Sequence, residues 1–420
     1  MKHILFIAPH SYPIKSSESI CNSKVAYTLA QAGFKVDVYT CDDTSTYPAD
    51  VVLDKQLRDS KNLRITTVRP DYAILRRDPF WKILRSVLYN AKILLKTGYF
   101  YNGIATSYLI LKQIRKDFKK GLLCDCDTVI TRGYNTDLVG IYLSKKMGFK
   151  WIANWNDPFP MSKFPAPYGT GPDTRLPYFE QKVYNDIQKY ATLHTFPNDR
   201  LRNYMLKCFK MVQHDKTDVI PHMALSLLTP SVRKDSSGNA LRMVHCGNAK
   251  HPRSPELFLR ALASVRKEKR YSQIPLECYF IGGVDTYVDR LIADLGLSDT
   301  VKLIPGMNYK DAISFIASCH VSLIIEAQCD EGIYLPTKVV DSFQVGVPIL
   351  AISPTMGVLK DYTSSYNVGY CADNRSEESI KAQLCRIVDD FIKNSLPVVN
   401  KDACPVVFED AILNIYKRII

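Results

Sequence analysis

The chain alternates between two kinds of stretch. Short runs rich in Val, Ile, Leu and Phe occur at 3–8, 34–40, 63–68, 127–131, 150–154 and 192–196, and again at 242–246, 278–281, 301–304, 321–325 and 347–352. Runs of that length with little polar alternation suit strands buried on both faces, as in a parallel sheet. Between them lie segments whose apolar residues recur every three or four positions: 20–32, 137–147, 178–190, 201–209, 255–267, 284–295, 309–318, 377–391 and 407–419. Cys21, Val25, Leu29 and Ala32 share one face of the first helix, which Ser19 is expected to cap and Gly33 to end. Phe258, Ala261, Leu262 and Val265 form the inward face of a later one. Strand, helix and strand in repetition predict βαβ units and an α/β fold with parallel sheets. The plan runs twice. Residues 229–240, with Pro230, three serines and Gly238, read as the linker between an N-terminal domain at 1–228 and a C-terminal domain at 241–403.

Length agrees, since 420 residues are too many for a single core. Charge changes the picture more. The chain carries a net +13, which implies an acidic partner. Residues 71–120 hold eleven Lys or Arg against three acids, a local +8, interleaved with Phe80, Trp81, Leu84, Leu88, Tyr89 and Tyr99. Two readings stay open for this segment: a helix lying on an anionic membrane surface, or ordinary helices packed on a sheet with their cations solvated. Nucleic acid ranks below both, because no recognisable binding module accompanies the charge. The 12 cysteines include no Cys-x-x-Cys, so reduced core thiols and a cytoplasmic setting are expected. The first apolar run ends at Pro9 and reads as a strand rather than a signal peptide. The uncharged stretches 97–111 and 342–359 are too short or too broken to span a bilayer.

In open parallel sheets, ligands bind beyond the carboxyl ends of the strands. Three loops at such positions carry candidate chemistry. After the strand at 321–325, an acidic loop containing Asp330 and Glu331 leads to Leu335-Pro336-Thr337, where Pro336 suits a helix start. Lys338 and Asp341 follow at i and i+3, and Gly346 stops the helix. A helix N-terminus with Lys338 favours a phosphate, and Asp341 can accept hydrogen bonds from a ribose diol. After 242–246 comes Gly247-Asn248-Ala249-Lys250-His251-Pro252-Arg253, and after 150–154 comes Trp155-Asn156-Asp157-Pro158. The first loop, 9–19, holds no Gly-x-Gly-x-x-Gly, so a dinucleotide site is not supported. The eight histidines show no metal-ligand spacing, and Asp125-Cys126-Asp127 precedes a strand, the wrong context for a metal-binding Asp-x-Asp.

The string Pro336-Thr337-Lys338-Val339-Val340-Asp341-Ser342-Phe343-Gln344-Val345-Gly346-Val347-Pro348 resembles the donor-site signature Pro-Ser-Lys-x-x-Glu-Tyr-x-Ala-x-Gly-x-Pro-Val of the retaining GT-B glycosyltransferases of family 4, the group 1 glycosyltransferases. The resemblance implies two Rossmann-like parallel-sheet domains facing a central cleft, with a helix in 404–420 returning to the N-terminal domain. It implies transfer of a sugar, with retention, from a nucleotide diphosphate sugar to a hydroxyl acceptor such as a lipid-linked or polysaccharide-precursor glycan. No cofactor and no metal would be needed, and the enzyme would be cytoplasmic, with peripheral contact to the inner membrane face through 71–120 and no nucleic acid. Lys338, Arg253 and Lys250 would meet the diphosphate, Asp341 the ribose, and Met307 the base. Gly247, Asn248, Thr337 and Ser17 would line the donor, and Asp157 would orient the acceptor hydroxyl. Two positions depart from the signature. Its second glutamate is Asp341, and the place of its first acid, eight residues earlier, is Ile333. Glu331 or Asp330 could stand in, or the acid could be absent. The alternatives are a sugar-nucleotide 2-epimerase of the same fold and a catalytically degenerate binding subunit.

Overall fold

In the computed structural model the described residues are 2–42, 48–69, 79–133, 136–230 and 240–420, with backbone only at 79–83 and 85. The chain divides into two compact units, one of residues 1–164, 168–220 and 413–420, the other of residues 165–167 and 221–412. Most of the expected linker, 231–239, lies outside the described residues, as does 71–78 with Arg76 and Arg77.

The first unit is built on β1 (His3–Ile7), β2 (Lys35–Cys41), β3 (Leu63–Val68), β4 (Thr128–Arg132), β5 (Lys150–Asn154), β6 (Leu193–Phe196) and β7 (Thr217–Val219). All pair in parallel, in the order β3-β2-β1-β4-β5-β6-β7. Phe6 stands opposite Val38 on one side and Ile130 on the other. Ile4, Leu5, Phe6 and Ile7 are all fully buried, so both faces of the central strand are covered. The covering helices include α1 (Ser17–Gln31), α2 (Val51–Arg58), α3 (Pro79–Thr97), α4 (Ile104–Lys119), α5 (Asp137–Met147), α6 (Tyr178–Tyr190) and α7 (Asp199–Cys208).

Helix α1 starts earlier than the sequence suggested. Ser16, not Ser19, is the cap: its backbone is extended, its Oγ accepts from Ser19 N at 3.3 Å, and Ser19 Oγ accepts in return from Ser16 N at 2.7 Å. Ser19 is therefore the third helical residue of a reciprocal capping pair. The basic segment resolves into two helices of unlike character. Helix α4 packs conventionally, with Ile110 and Ile114 buried and Asp117 accepting from Tyr39 Oη at 2.7 Å. Helix α3 buries Ile93 but leaves Val87 58%, Leu88 60% and Leu95 88% exposed. Among the described residues no helix is long and apolar enough to cross a membrane.

The second unit has β8 (Leu241–Cys246), α8 (Glu256–Lys267), β9 (Leu276–Ile281), α9 (Tyr287–Asp294), β10 (Val301–Ile304), α10 (Tyr309–Ala317), β11 (Val321–Ile325), α11 (Thr337–Gln344), β12 (Ile349–Ser353), α12 (Val358–Tyr366), β13 (Gly369–Asp373), α13 (Glu377–Ile392) and the start of α14 (Glu409–Ile419). Its sheet is also parallel throughout, ordered β10-β9-β8-β11-β12-β13. The fold class read from the sequence therefore holds: two Rossmann-like parallel-sheet domains. The order in which strands are added reverses between β1 and β4 in one sheet and between β8 and β11 in the other. At such switch points the loops beyond the strand ends diverge and leave a crevice.

Helix α5 lies so close to its sheet that Gly140 touches Trp151, which is fully buried and donates from Nε1 to Thr131 Oγ1 at 2.8 Å. A Cβ at Gly140 would lie 2.1 Å from Trp151 Cε2. Gly-to-Ala inside a helix ordinarily gains about 1 kcal/mol, whereas overpacking of this kind costs about 1–3 kcal/mol. Gly140→Ala should therefore lower the urea midpoint of the first unit. A midpoint equal to or above that of the parent would show that Trp151 does not fill that space.

Candidate functional site

The switch point of the second sheet gathers polar side chains from two elements. The loop after β8 begins at Gly247, whose φ of 108° favours glycine. A Cβ there would lie 2.8 Å from Lys338 Cε and 3.0 Å from its Nζ. Lys338 comes from the first turn of α11, where Pro336 takes the capping position and Thr337 is the first helical residue. The Lys338 ammonium donates to His245 Nε2 at 3.1 Å. His245, in β8, is 1% exposed and donates from Nδ1 to Leu323 O in the neighbouring β11 at 2.9 Å. Burial first, and the Lys338 charge second, hold its pKa down at about 3. The ring is thus neutral, with the tautomer fixed by the strand carbonyl. Burial, then Arg253, lowers Lys338 to about 8, so the ammonium remains mainly charged at neutral pH.

The same loop supplies more. Gly283, after β9, approaches so closely that a Cβ on it would lie 2.8 Å from Lys250 Cε and 2.9 Å from Asn248 Oδ1. Asn248 Oδ1 accepts from Gly283 N at 3.1 Å, and Arg253 N donates to Lys250 O at 2.8 Å. Arg253 acts electrostatically on Lys338, His245 and Glu326 together. Lys250, Arg253 and Lys338 therefore form a cationic group over a glycine-lined edge, an arrangement suited to an anion of more than one charge. Farther along α11, Asp341 Oδ1 accepts from Tyr309 Oη at 2.6 Å. Met307 is partly buried against the apolar cluster of Val244, Ile281, Ile313 and Val345. No group of three or more His, Cys, Asp or Glu suited to a metal ion occurs among the described residues.

The acids of the loop after β11 differ in their surroundings. Asp330 has a side chain 97% exposed and pairs with Arg375 at 3.0 Å. Glu331 is partly exposed, and its carbonyl accepts from Cys329 Sγ at 3.3 Å. Ile333 is 1% exposed, an apolar residue in an apolar place. The acid turned into the fold is Glu326, the residue directly after β11, which sequence reasoning passed over. Its signal was a lone charged residue ending a wholly apolar strand. His245 was missed for the opposite reason, as a polar residue hidden inside a strand.

In the first unit, Asp157 follows β5 and stands near Glu18 in the first turn of α1. As a residue Asp157 is exposed, yet its carboxyl is pushed up to about 6, by desolvation first and the Glu18 charge second. Glu18 is raised by desolvation, with His10 and Arg132 opposing. Its Oε1 lies 3.3 Å from where a Cβ on Gly133 would be. A cavity of about 250 Å³, lined by His10, Lys15, Ser16, Glu18 and Asp42 among others, opens beside this loop. Ser17 is the exposed first residue of α1.

Residues 233–395 match the family model of the glycosyl transferases group 1. No curated protein matches the chain. Among solved structures, Anabaena HepE in complex with UDP gives a TM-score of 0.67 at 11% identity, over 100% of this chain and 99% of that one. A sucrose-phosphate synthase from Thermosynechococcus elongatus gives 0.63 at 14% identity, over 100% and 99%. The lipopolysaccharide outer core galactosyltransferase WaaB, in its apo form, gives 0.60 at 12% identity, over 99% and 98%. What the chain shares with all three is the GT-B fold, built from two Rossmann-like domains.

Proposed function

We propose that the protein is a glycosyltransferase that moves a hexose, with retention, from a nucleotide diphosphate sugar to a hydroxyl of a lipid-linked or polysaccharide-precursor glycan. The observation that carries this reading is the desolvated Lys338 ammonium, braced by neutral His245 and pressed against Gly247. The match of 233–395 to a glycosyltransferase family covers these residues, and a neighbour of the same fold holds UDP. In the reaction the bond from the sugar's anomeric carbon to the diphosphate oxygen breaks, and the electron pair leaves with the nucleoside diphosphate. Lys338, Lys250 and Arg253 neutralise that charge as it develops, the work that a preorganised cationic site does best. On this reading the side chains suffice, and no metal or other cofactor is called for. The acceptor oxygen forms the new bond to the anomeric carbon, and its proton passes to the departing diphosphate. Asp157 is the group assigned to orient that hydroxyl, and Asp341 the one assigned to the ribose, with Tyr309 fixing its carboxylate.

The acceptor side of the proposal draws on α3. Val87, Leu88 and Leu95 are exposed on it, and Lys92 and Lys96 lie on the same solvated helix. An exposed apolar face flanked by cations suits the headgroup boundary of an anionic leaflet, and so a peripheral enzyme at the inner face of a membrane.

Lys338→Ala should lower kcat/KM by about 10²–10³-fold and weaken nucleoside diphosphate binding. Lys338 loses its proton as pH rises through about 8, so nucleoside diphosphate affinity of the parent should fall between pH 7 and 9. In Lys338→Ala that slope should vanish. Unchanged turnover and affinity in the variant would remove the diphosphate from this place. Release of nucleoside diphosphate only in the presence of a glycan acceptor separates transfer from epimerisation and from a binding subunit.

Asp341→Asn should raise the dissociation constant of the donor more than it lowers kcat, because a ribose contact is much the same in ground and transition states. Calorimetry and steady-state kinetics on the one variant give both numbers. A fall confined to kcat would place Asp341 at the reacting sugar instead.

Sedimentation with anionic vesicles should weaken with added salt, and again when Arg76, Arg77, Lys82 and Arg85 are changed to Gln, each cation contributing about 1 kcal/mol near the surface. Equal sedimentation with neutral and anionic vesicles, or none with either, would move the acceptor to a soluble glycan.

A further inference from the structure

Glu326 is held by its backbone on both sides. Its N–H donates to Ile352 O at 2.9 Å, and Asn374 Nδ2 donates to Glu326 O at 3.2 Å and to Ala327 O at 3.0 Å. Gln328 Nε2 donates in turn to Asn374 O at 2.8 Å. The strand end cannot turn without breaking these bonds, so the backbone from which the side chain leaves is fixed. It runs beneath the loop, where a Cβ on Gly332 would lie 3.2 Å from Oε2. Oε2 is sealed from solvent and has no hydrogen-bond partner. The titratable groups facing the carboxyl are Arg253 from the β8–α8 loop, Cys329 from its own loop and Cys371 from β13. Both thiols are raised by burial and stay neutral, which leaves Arg253 as the charge that acts on Glu326. Arg253 is also a residue that the donor-site reading assigns to the diphosphate.

A buried oxygen with no partner is costly to keep, and buried polar atoms of folded proteins are nearly always satisfied. One that persists within the field of Arg253 points to a partner that arrives with the ligand. We propose that Glu326 hydrogen-bonds a hydroxyl of the sugar being transferred. This rests on the donor-site reading above and extends it from the nucleotide to the sugar. A sugar hydroxyl both donates and accepts. A protonated carboxyl does the same, and desolvation, opposed by Arg253, pushes Glu326 up to about 8. Ionised, the same group would set a negative charge beside the diphosphate.

The test compares Glu326→Gln, which keeps a neutral hydrogen-bonding group, with Glu326→Leu, which removes it. Calorimetry is run with UDP, GDP, ADP and dTDP and with UDP-glucose, GDP-mannose, ADP-glucose and dTDP-glucose. The quantity read is the affinity ratio of each nucleotide sugar to its own nucleoside diphosphate. A nucleoside diphosphate carries one more negative charge than its nucleotide sugar, so the effect of Lys338 is removed by comparing the ratio in the parent with that in Glu326→Gln, which keeps Lys338. For the nucleotide that the parent binds best, the diphosphate alone should bind all three proteins alike. The ratio should fall about tenfold in Glu326→Leu, the scale of one lost hydrogen bond, and change little in Glu326→Gln. As pH rises from 7 to 9 the ratio in the parent should fall relative to that in Glu326→Gln. Should Glu326→Leu not fold, the pH dependence of the ratio in parent and Gln variant decides alone. A ratio unchanged in Glu326→Leu, or a parallel loss of both ligands with a lower melting temperature, would overturn the proposal and leave Glu326 a packing residue. Binding of none of the nucleotides to the parent would overturn the donor-site reading itself, and this proposal with it.

Discussion

The ammonium of Lys338 is held where it is largely withdrawn from water, and the surrounding structure is arranged to make that tolerable. Burying a cation costs free energy unless a polar group meets it. Here the partner is a neutral imidazole, which accepts without adding charge of its own. That in turn requires His245 to point its other nitrogen at a strand carbonyl, so the tautomer depends on the pairing of β8 with β11. Gly247 completes the arrangement, since any side chain there would strike the lysine stem. An ammonium left partly desolvated and without an acidic partner keeps its field for a ligand. An ion pair in the same place would spend that field on the protein.

The sheets decide which loops can share in this. In the second sheet β8 and β11 are neighbours although five elements lie between them along the chain, because the strand order reverses there. The loop carrying Lys250 and Arg253 and the loop carrying Glu326 leave adjacent strand ends in opposite directions. Residues some seventy positions apart thus meet without a long excursion of either loop. The same reversal between β1 and β4 sets Glu18 and the Gly133 turn side by side in the first unit. Each half obtains its polar crevice from topology, and the side chains refine it.

This explains what could be read from the sequence and what could not. The strands 63–68, 150–154, 301–304 and 321–325 and the helices 137–147 and 178–190 were legible because apolar period and capping residues agree over their whole length. The α12–β13 pair was not. Val-Leu-Lys-Asp-Tyr-Thr-Ser-Ser-Tyr has little apolar period and several poor helix formers, and β13 is a short edge strand with alternate residues partly exposed. Ser19 was taken for a cap because it is serine before an apolar run, but Ser16 offers the same chemistry one turn earlier and gains a reciprocal bond. That Lys338 and Asp341 share one helix was legible because their spacing is local information. Glu326 and His245 were not, because what marks them is the company brought by other strands.

Glu326 also bears on why Ile333 can be apolar at all. If the acid of such a site had to lie in the loop before α11, an isoleucine there would argue for a site that has lost its chemistry. Ile333 is instead packed at 1% exposure, while the carboxyl that faces inward sits at a strand end clamped by Asn374 and Ile352. A strand end moves less than a loop, so a group placed there is better preorganised. The cost is a buried oxygen without a hydrogen-bond partner, which a loop glutamate exposed to water would not suffer. The two placements trade rigidity against solvation. A chain that has chosen the rigid one has a reason to keep Gly332 as well, because that residue roofs the carboxyl. The apolar residue in the loop and the acid at the strand end are thus two sides of one arrangement.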